Sequence, residues 1–226
     1  MNLLAVETST DLCSVALLRG DALRVEESLA PNQHAETLAP MILGLLEKAR
    51  LAPAQLDAFA FGQGPGSFTG IRIACGIVQG MALGAEKPVV PVPSLVAMAE
   101  QSHASRVLVG LDARMGEVYF AAYSRMGGDW EAVIAPCLVK EGGLPPLPGR
   151  DWVATGSGFD AFAWLRGAYA RQVAHRLEND LPRAGGIARV AARRLGRGEA
   201  VAPEAAAPLY LRDKVALTTA ERLAAR

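Results

Sequence analysis

Two stretches of this chain read alike. Residues 2–19 run "NLLAVETSTDLCSVALLR" and residues 106–125 run "RVLVGLDARMGEVYFAAYSR". Each is an apolar strand that ends in an acid, a short turn, and a strand that returns. A shift of 105 residues lays Glu7 on Asp112 and "SVAL" on "YFAA". The match lies in pattern more than in identity. A unit of this kind used twice within 226 residues predicts a duplicated α/β architecture. The two units are expected over residues 1–104 and 105–226.

The remaining elements of the first half follow from periodicity. Strands are expected over residues 2–7 and 13–19, with a third in "ALRVEESLA". "NQHAETLAPMILGLLEKARL" has helical spacing, with Ala35, Leu38, Ile42, Leu45 and Leu46 on one face and Pro40 as a candidate kink. "LDAFAFGQGPGS" is a short buried strand ending in glycines. A helix over 69–84, a strand in "KPVVPVPS" and a helix near 94–103 complete the half. The second half is more broken. "GGLPPLPGR" is a loop, and "WVATGSGFDAFAWLRG" reads as strand, glycine turn and helix. "GGIARVAARRLGRG" is a helix with Ile187, Val190, Ala191 and Leu195 inward, and "EAVAPEAAAPLYLRDK" is extended. Thr218 and Glu221 have the spacing of a capping box for a last short helix.

The loop "GQGPGSFTG" (62–70) opens a helix, which is where phosphate-binding loops sit. It lacks the lysine of a Walker A loop, since no lysine lies between Lys48 and Lys87. It also misses G-x-G-x-x-G, because Gly64 and Gly66 are followed by Thr69, with Gly70 one place late. Two readings stand. The loop is an unspecific anion site built on free N–H groups with Ser67 and Thr69, or a tight turn. In the second, Gly62, Gly64 and Gly66 supply positive φ, Pro65 stiffens the turn, and either hydroxyl caps the helix.

The helix that follows carries Ile71, Ile73, Ala74, Ile77, Val78, Met81 and Leu83, and is expected to be buried nearly all round. Gly76, Gly80 and Gly84 recur every four residues along it. Each costs about 1 kcal/mol of helix propensity relative to alanine. Close approach of another helix is a reason to keep three. That neighbour is either the 34–50 helix or a helix of another chain, and the sequence leaves both open.

Composition narrows the function. Lys+Arg and Asp+Glu both count 23, so the chain has no basic excess for holding nucleic acid by itself. Arg183, Arg189, Arg193, Arg194 and Arg197 read as a solvated helix face rather than a basic stripe. Cys13, Cys75 and Cys137 are far apart and form no C-x-x-C, so reduced, packed thiols are expected. "MNLLAVETST" is not a signal peptide, and no uninterrupted apolar run reaches about 18 residues, so a cytoplasmic protein is expected. Asp112, Arg114 and Glu117 make a charged turn, readable as a contact for a ligand or as a solvated turn whose Asp caps nearby N–H groups. His34 reads as a helix-start polar residue.

"LLAVETSTDLCSVALL", "GPGSFTGIRI", "KPVVPVPSLVAMA", "LDARMGEVYFAAY" and "PLYLR" together resemble the TsaB (YeaZ) family, bacterial proteins of tRNA threonylcarbamoyladenosine synthesis. The similarity runs from residue 1 to about 215. The resemblance implies an actin-like ATPase fold of the Hsp70 and sugar-kinase type, two related α/β domains with the second reduced. It implies a non-catalytic partner of TsaD, the subunit that transfers threonylcarbamoyl onto the adenosine beside the anticodon of tRNAs reading codons that start with A. The ATPase TsaE joins the larger complex, tRNA is reached through it, and a homodimer on the same face is an alternative assembly. The implied partner face is His34, Leu38, Ile42, Leu45, Ile73, Gly76, Ile77, Gly80, Met81 and Gly84. A remnant nucleotide or anion site would comprise Glu7, Thr8, Ser9, Gly64, Gly66, Ser67 and Asp112.

TsaD-like chains hold a metal on H-x-x-x-H, and those positions fall here on Ser94 and Met98, read as a helix N-cap and a core residue. No metal site and no catalytic residue are expected, and any ATP or ADP binding would be residual and in company with the partner. "TGSGFD" (155–160) only faintly resembles the adenosine-binding glycines of complete members. The competing class is an actin-like small-molecule kinase or ATPase. A serine protease has little support, since Ser67 sits in no G-x-S-x-G elbow.

Overall fold

The computed structural model describes residues 1–212. The expected capping box at Thr218 and Glu221 lies outside the described residues. The first unit is β1 (Asn2–Glu7), β2 (Leu12–Arg19), β3 (Ala22–Leu29), α1 (His34–Ala49), β4 (Ala58–Gly62), α2 (Phe68–Ala85), β5 (Val89–Val92) and α3 (Ser94–Gln101). The second is β6 (Arg106–Asp112), β7 (Glu117–Met126), β8 (Asp129–Lys140), β9 (Trp152–Thr155), α4 (Ser157–Ala161), α5 (Ala163–Ala168), β10 (Val173–Leu177) and α6 (Ala184–Gly196).

The duplication is plain in the topology. The first sheet has the order β3-β2-β1-β4-β5 and the second β8-β7-β6-β9-β10, the same arrangement position by position. In both, the first three strands of the unit pair antiparallel and the other two join in parallel. This is the twofold α/β arrangement of the actin-like ATPase fold. The second unit is reduced in its helices. The crossovers of the first carry helices of 16 and 18 residues. The matching connections of the second carry none over residues 141–151 and two short helices of 5 and 6 residues.

The repeat does not place Glu7 on Asp112. β1 turns its odd residues, Leu3 and Ala5, to the core shared by the two sheets, and β6 likewise turns Val107, Val109 and Leu111 there. Leu4 and Leu108 face the opposite layers. An odd shift therefore exchanges the faces of this strand, since side chains alternate with period two. The returning strands keep the odd shift, with Ala16 and Ala121 both in the shared core. The second turn is one residue longer between matching pairs, Leu111 with Tyr119 against Glu7 with Ser14, and by sidedness Glu7 corresponds to Leu111.

The helices after each sheet are exchanged. α3 follows the first sheet yet packs on β6, β7 and β8, while α6 follows the second and packs on β1, β2, β4 and β5. Residues 104 and 105 thus separate the sheets but not the core, which runs through α3 and α6. Buried Glu100 on α3 accepts hydrogen bonds from both Nη atoms of Arg193 on α6 (2.9 and 2.7 Å) and from Trp130 Nε1 on β8 (2.7 Å).

Two strands, β8 and β10, were not expected. β8 is a mostly solvated edge strand interrupted by Pro136, and β10 has only 5 residues, so neither shows clean alternation. The helix expected after Gly156 is broken at Phe162 into α4 and α5. Cys13 and Cys75 are buried free thiols and Cys137 is half-buried. Burial pushes the Cys13 thiol up to about 11.

Candidate functional site: an interdomain cleft and an open helix face

The first candidate region lies where the ends of both sheets meet. A cleft of about 540 Å³ is lined by the β1–β2 turn (Ser9 to Asp11), the glycine loop (Pro65 to Phe68) and the β6–β7 turn (Leu111 to Arg114). Ser157 and the extended stretch from Leu209 to Arg212 close the lining.

The glycines of the loop serve contact with the β1–β2 turn. A Cβ on Gly62 would lie 1.9 Å from Glu7 Oε2, one on Gly66 2.4 Å from the Ser9 carbonyl, and one on Gly70 2.0 Å from the Thr8 carbonyl. Only Gly64 has positive φ (97°), so the expectation of positive φ at Gly62 and Gly66 is corrected. The loop is clasped further by Ser67 N–H donating to Ser9 O (2.7 Å). Ser67 Oγ caps α2 by accepting from Gly70 N–H (3.2 Å).

This clasp draws the expected anion-binding groups inward. Glu7 is fully buried; its Oε1 accepts from Ser9 N–H (2.6 Å) and its Oε2 from Ser94 Oγ (2.7 Å). Burial pushes its carboxyl up, against the pull of those hydrogen bonds. Thr8 is equally buried and its Oγ1 donates to Gly70 O (2.8 Å). The expectation that Glu7 and Thr8 face a ligand is therefore corrected: both side chains are engaged inside the protein. Gly64 is buried, and its carbonyl accepts from Ser94 N–H (2.8 Å). Ser9, Gly66, Ser67 and Asp112 do line the cleft. Asp112 Oδ1 accepts from Arg114 N–H (2.8 Å), the capping arrangement of a polar turn.

The second region is the outer side of α1 and α2. Here the expected face divides. His34, Leu38, Ile42 and Leu45 are 6, 0, 0 and 2 % exposed, so they belong to the core of this chain and cannot meet a partner. The apolar stripe of α1 covers the first sheet, with His34 in the place expected for Ala35. His34 Nε2 lies 2.8 Å from Thr10 O, while Ala35 is exposed. α2 behaves otherwise. It is not buried all round: Arg72, Gly76, Gly80, Leu83 and Gly84 are exposed, and Ile73, Ile77 and Met81 are half-buried. A Cβ at Gly76, Gly80 or Gly84 would meet nothing within 4 Å. The 34–50 helix is thus not what the bare ridge accommodates. Gly44 of α1 is equally open, and Leu43 beside it is 60 % exposed. By length and composition α2 could cross a membrane, yet in this fold its other side covers the first sheet.

Comparison with known proteins decides the family. The model of the family "TsaD: tRNA N6-adenosine threonylcarbamoyltransferase" matches residues 27–220. The chain is 40% identical over 226 residues to the tRNA threonylcarbamoyladenosine biosynthesis protein TsaB of Escherichia coli, covering 96% of each. It is 48% identical to the Haemophilus influenzae protein of the same name over 130 residues, 55% of each chain. The solved structure "YeaZ from Pseudomonas aeruginosa" superposes with a TM-score of 0.83 at 36% identity, over 93% of this chain and 99% of that one. The chain belongs to the TsaB family.

In this TsaB-family chain the positions matched to the H-x-x-x-H pair lie inside the protein. Met98 is a fully buried core residue. Ser94 is not the cap of α3, which is Pro93; it is the first helical residue and its hydroxyl goes to Glu7. Among the described residues no three His, Cys, Asp or Glu side chains gather as metal ligands. The arginines of α6 are mostly paired rather than merely solvated. Arg193 binds Glu100, Arg197 binds Asp129 (2.7 Å), and Arg183 at the helix start binds Asp180 (2.8 Å) and Glu27 (3.2 Å). Arg194 donates to Pro91 O (2.8 Å).

Sequence reasoning missed one cluster. Arg72 Cζ sits 3.5 Å from the Phe68 ring centroid, and Arg72 Nε donates to Tyr210 Oη (2.7 Å). Phe68 and Arg72 have the i, i+4 spacing that brings side chains together on a helix. Tyr210 is 138 residues away, and no local pattern announces it.

Proposed function

We propose that this chain is the non-catalytic scaffold subunit of tRNA threonylcarbamoyladenosine synthesis, docking on TsaD through the outer face of α2. The observation that carries the reading is the ridge of Gly76, Gly80 and Gly84, bare to open space on a helix otherwise rich in apolar residues. Glycines at this spacing cost helix propensity and repay it only where a second helix comes close. The half-buried Ile73, Ile77 and Met81 flank the ridge and supply the apolar area that such a contact needs.

The match of a TsaD family model to residues 27–220 supports a partner of the same fold. Two like helix pairs can then meet about a pseudo-twofold axis as a bundle across two chains. The same face would pair two copies of this chain when TsaD is absent. The engaged Glu7 and Thr8 weigh against an ATPase or kinase activity of this chain alone, and any ATP or ADP in the cleft would be residual. In this account the chain is cytoplasmic, reaches tRNA through the complex, and shares that complex with TsaE.

The test is co-elution of Gly80→Leu with TsaD. The variant is expected to fold, because its side chain enters open space, and to lose the heterodimer. Co-elution at undiminished affinity would refute the docking face.

A further inference from the structure

The stretch after α6 is an extended strap that runs the length of α2. Gln79 Nε2 donates to the carbonyls of Pro203 (3.1 Å) and Ala206 (2.9 Å), and Leu209 N–H donates to Gln63 O (2.7 Å). Arg212 then pairs with Glu117 of the second unit. Between these anchors the strap delivers Tyr210 to the exposed side of the second turn of α2.

There it completes an arginine clamp. The guanidinium of Arg72 stacks on Phe68, with Cζ 3.5 Å from the centroid, and lies 5.5 Å from the centroid of Tyr210. The two rings are 5.7 Å apart and inclined by 39°. Nε is held by Tyr210 Oη at 2.7 Å. Among the described residues neither Nη atom has a hydrogen-bond partner and no carboxylate forms an ion pair with Arg72. An arginine fixed in this way loses little rotamer entropy when its two Nη groups bind. Stacking and the Nε bond fix the plane of the fork, and two parallel N–H groups are left for a planar oxyanion. Arg72 is exposed and one helical turn from Gly76, so the fork continues the glycine ridge.

We propose that Arg72, positioned by Phe68 and Tyr210, receives a carboxylate of the protein that packs on the ridge. The proposal rests on the docking reading above. A protein carboxylate is favoured over an RNA phosphate because the adjoining surface is apolar and glycine-lined. The arginines of α6 are besides mostly committed to internal partners. The fork would set the register of the helix pair, as charged groups beside an apolar contact do.

The test is titration of TsaD with wild type, Arg72→Gln, Arg72→Lys, Tyr210→Phe and Gly80→Leu at several salt concentrations, with thermal melts to confirm folding. Arg72→Gln is expected to weaken the complex by about 30-fold or more and to flatten its salt dependence. Arg72→Lys restores the salt dependence but only part of the affinity, because a point charge replaces a fork. Tyr210→Phe weakens binding less and keeps the salt dependence. Wild-type affinity for Arg72→Gln with loss for Gly80→Leu would overturn this proposal and leave the docking face standing. Wild-type affinity for both would overturn the docking face as well. If Arg72→Gln keeps TsaD affinity while the complex loses affinity for tRNA, the acceptor is a phosphate and the proposal is wrong.

Discussion

Replacing Gly80 by alanine is expected to stabilise the isolated chain and to weaken its complex at the same time. Gly80 lies inside an 18-residue helix, on the open side, where a Cβ would meet nothing within 4 Å. The added methyl therefore costs no packing, and the helix gains about 1 kcal/mol of propensity. For a chain of this size that raises the melting temperature by about 2–4 °C. In a close helix–helix contact the same methyl is overpacking, at about 1–3 kcal/mol, a loss of about five- to 150-fold in affinity. Gly70 of the same helix provides the control. Its Cβ would lie 2.0 Å from the Thr8 carbonyl, so Gly70→Ala should lower the melting temperature despite the same gain in propensity. The assay pairs thermal melts, at concentrations where the chain is monomeric, with titration of TsaD. A Gly80→Ala chain that melts higher and binds TsaD as tightly as wild type would show that the ridge is not a contact. One that melts lower would refute the open face itself.

Two further outcomes follow from the buried carboxylates. Burial raises the Glu7 carboxyl above its ordinary value near 4.5, so the folded chain holds a proton that the unfolded chain has lost. Stability should therefore fall as pH rises from 4.5 through the raised value, and Glu7→Gln should remove that slope in melts taken across this window. For Glu100, burial alone would raise the carboxyl, but the hydrogen bonds from Arg193 and Trp130 outweigh it and hold it below its ordinary value. Glu100→Gln breaks a buried ion pair and should cost about 3 kcal/mol by urea denaturation at pH 7, with a smaller difference below pH 4.5, where the wild type loses the charge as pH falls.

The sequence exposed what is local. β1, β2, β6 and β7 declare themselves by apolar runs around short polar turns, and the duplication follows from them. The glycine ridge is visible as a period of four. What stayed hidden depends on contacts far apart in the chain. Sidedness decides that Glu7 answers to Leu111, and it becomes visible only when both faces of each sheet are assigned. α3 and α6 pack on each other's sheets, which no spacing predicts. On α1 the core face takes His34 in place of Ala35, because the Thr10 carbonyl offers the imidazole a partner. The same helix had been expected to meet a partner with Leu38, Ile42 and Leu45. An apolar stripe serves one core only, and here the first sheet uses it. The cleft groups misled in a similar way. An acid and a hydroxyl at a strand end resemble a ligand site, but three close-packed glycines turn them inward.

The most direct measurement is reconstituted threonylcarbamoylation of tRNA by TsaD and TsaE, with this chain omitted, added, or added as Gly80→Leu. Modification is expected with the wild-type chain, and its loss both without that chain and with the variant. Modification at the full rate without this chain would refute its role as a scaffold.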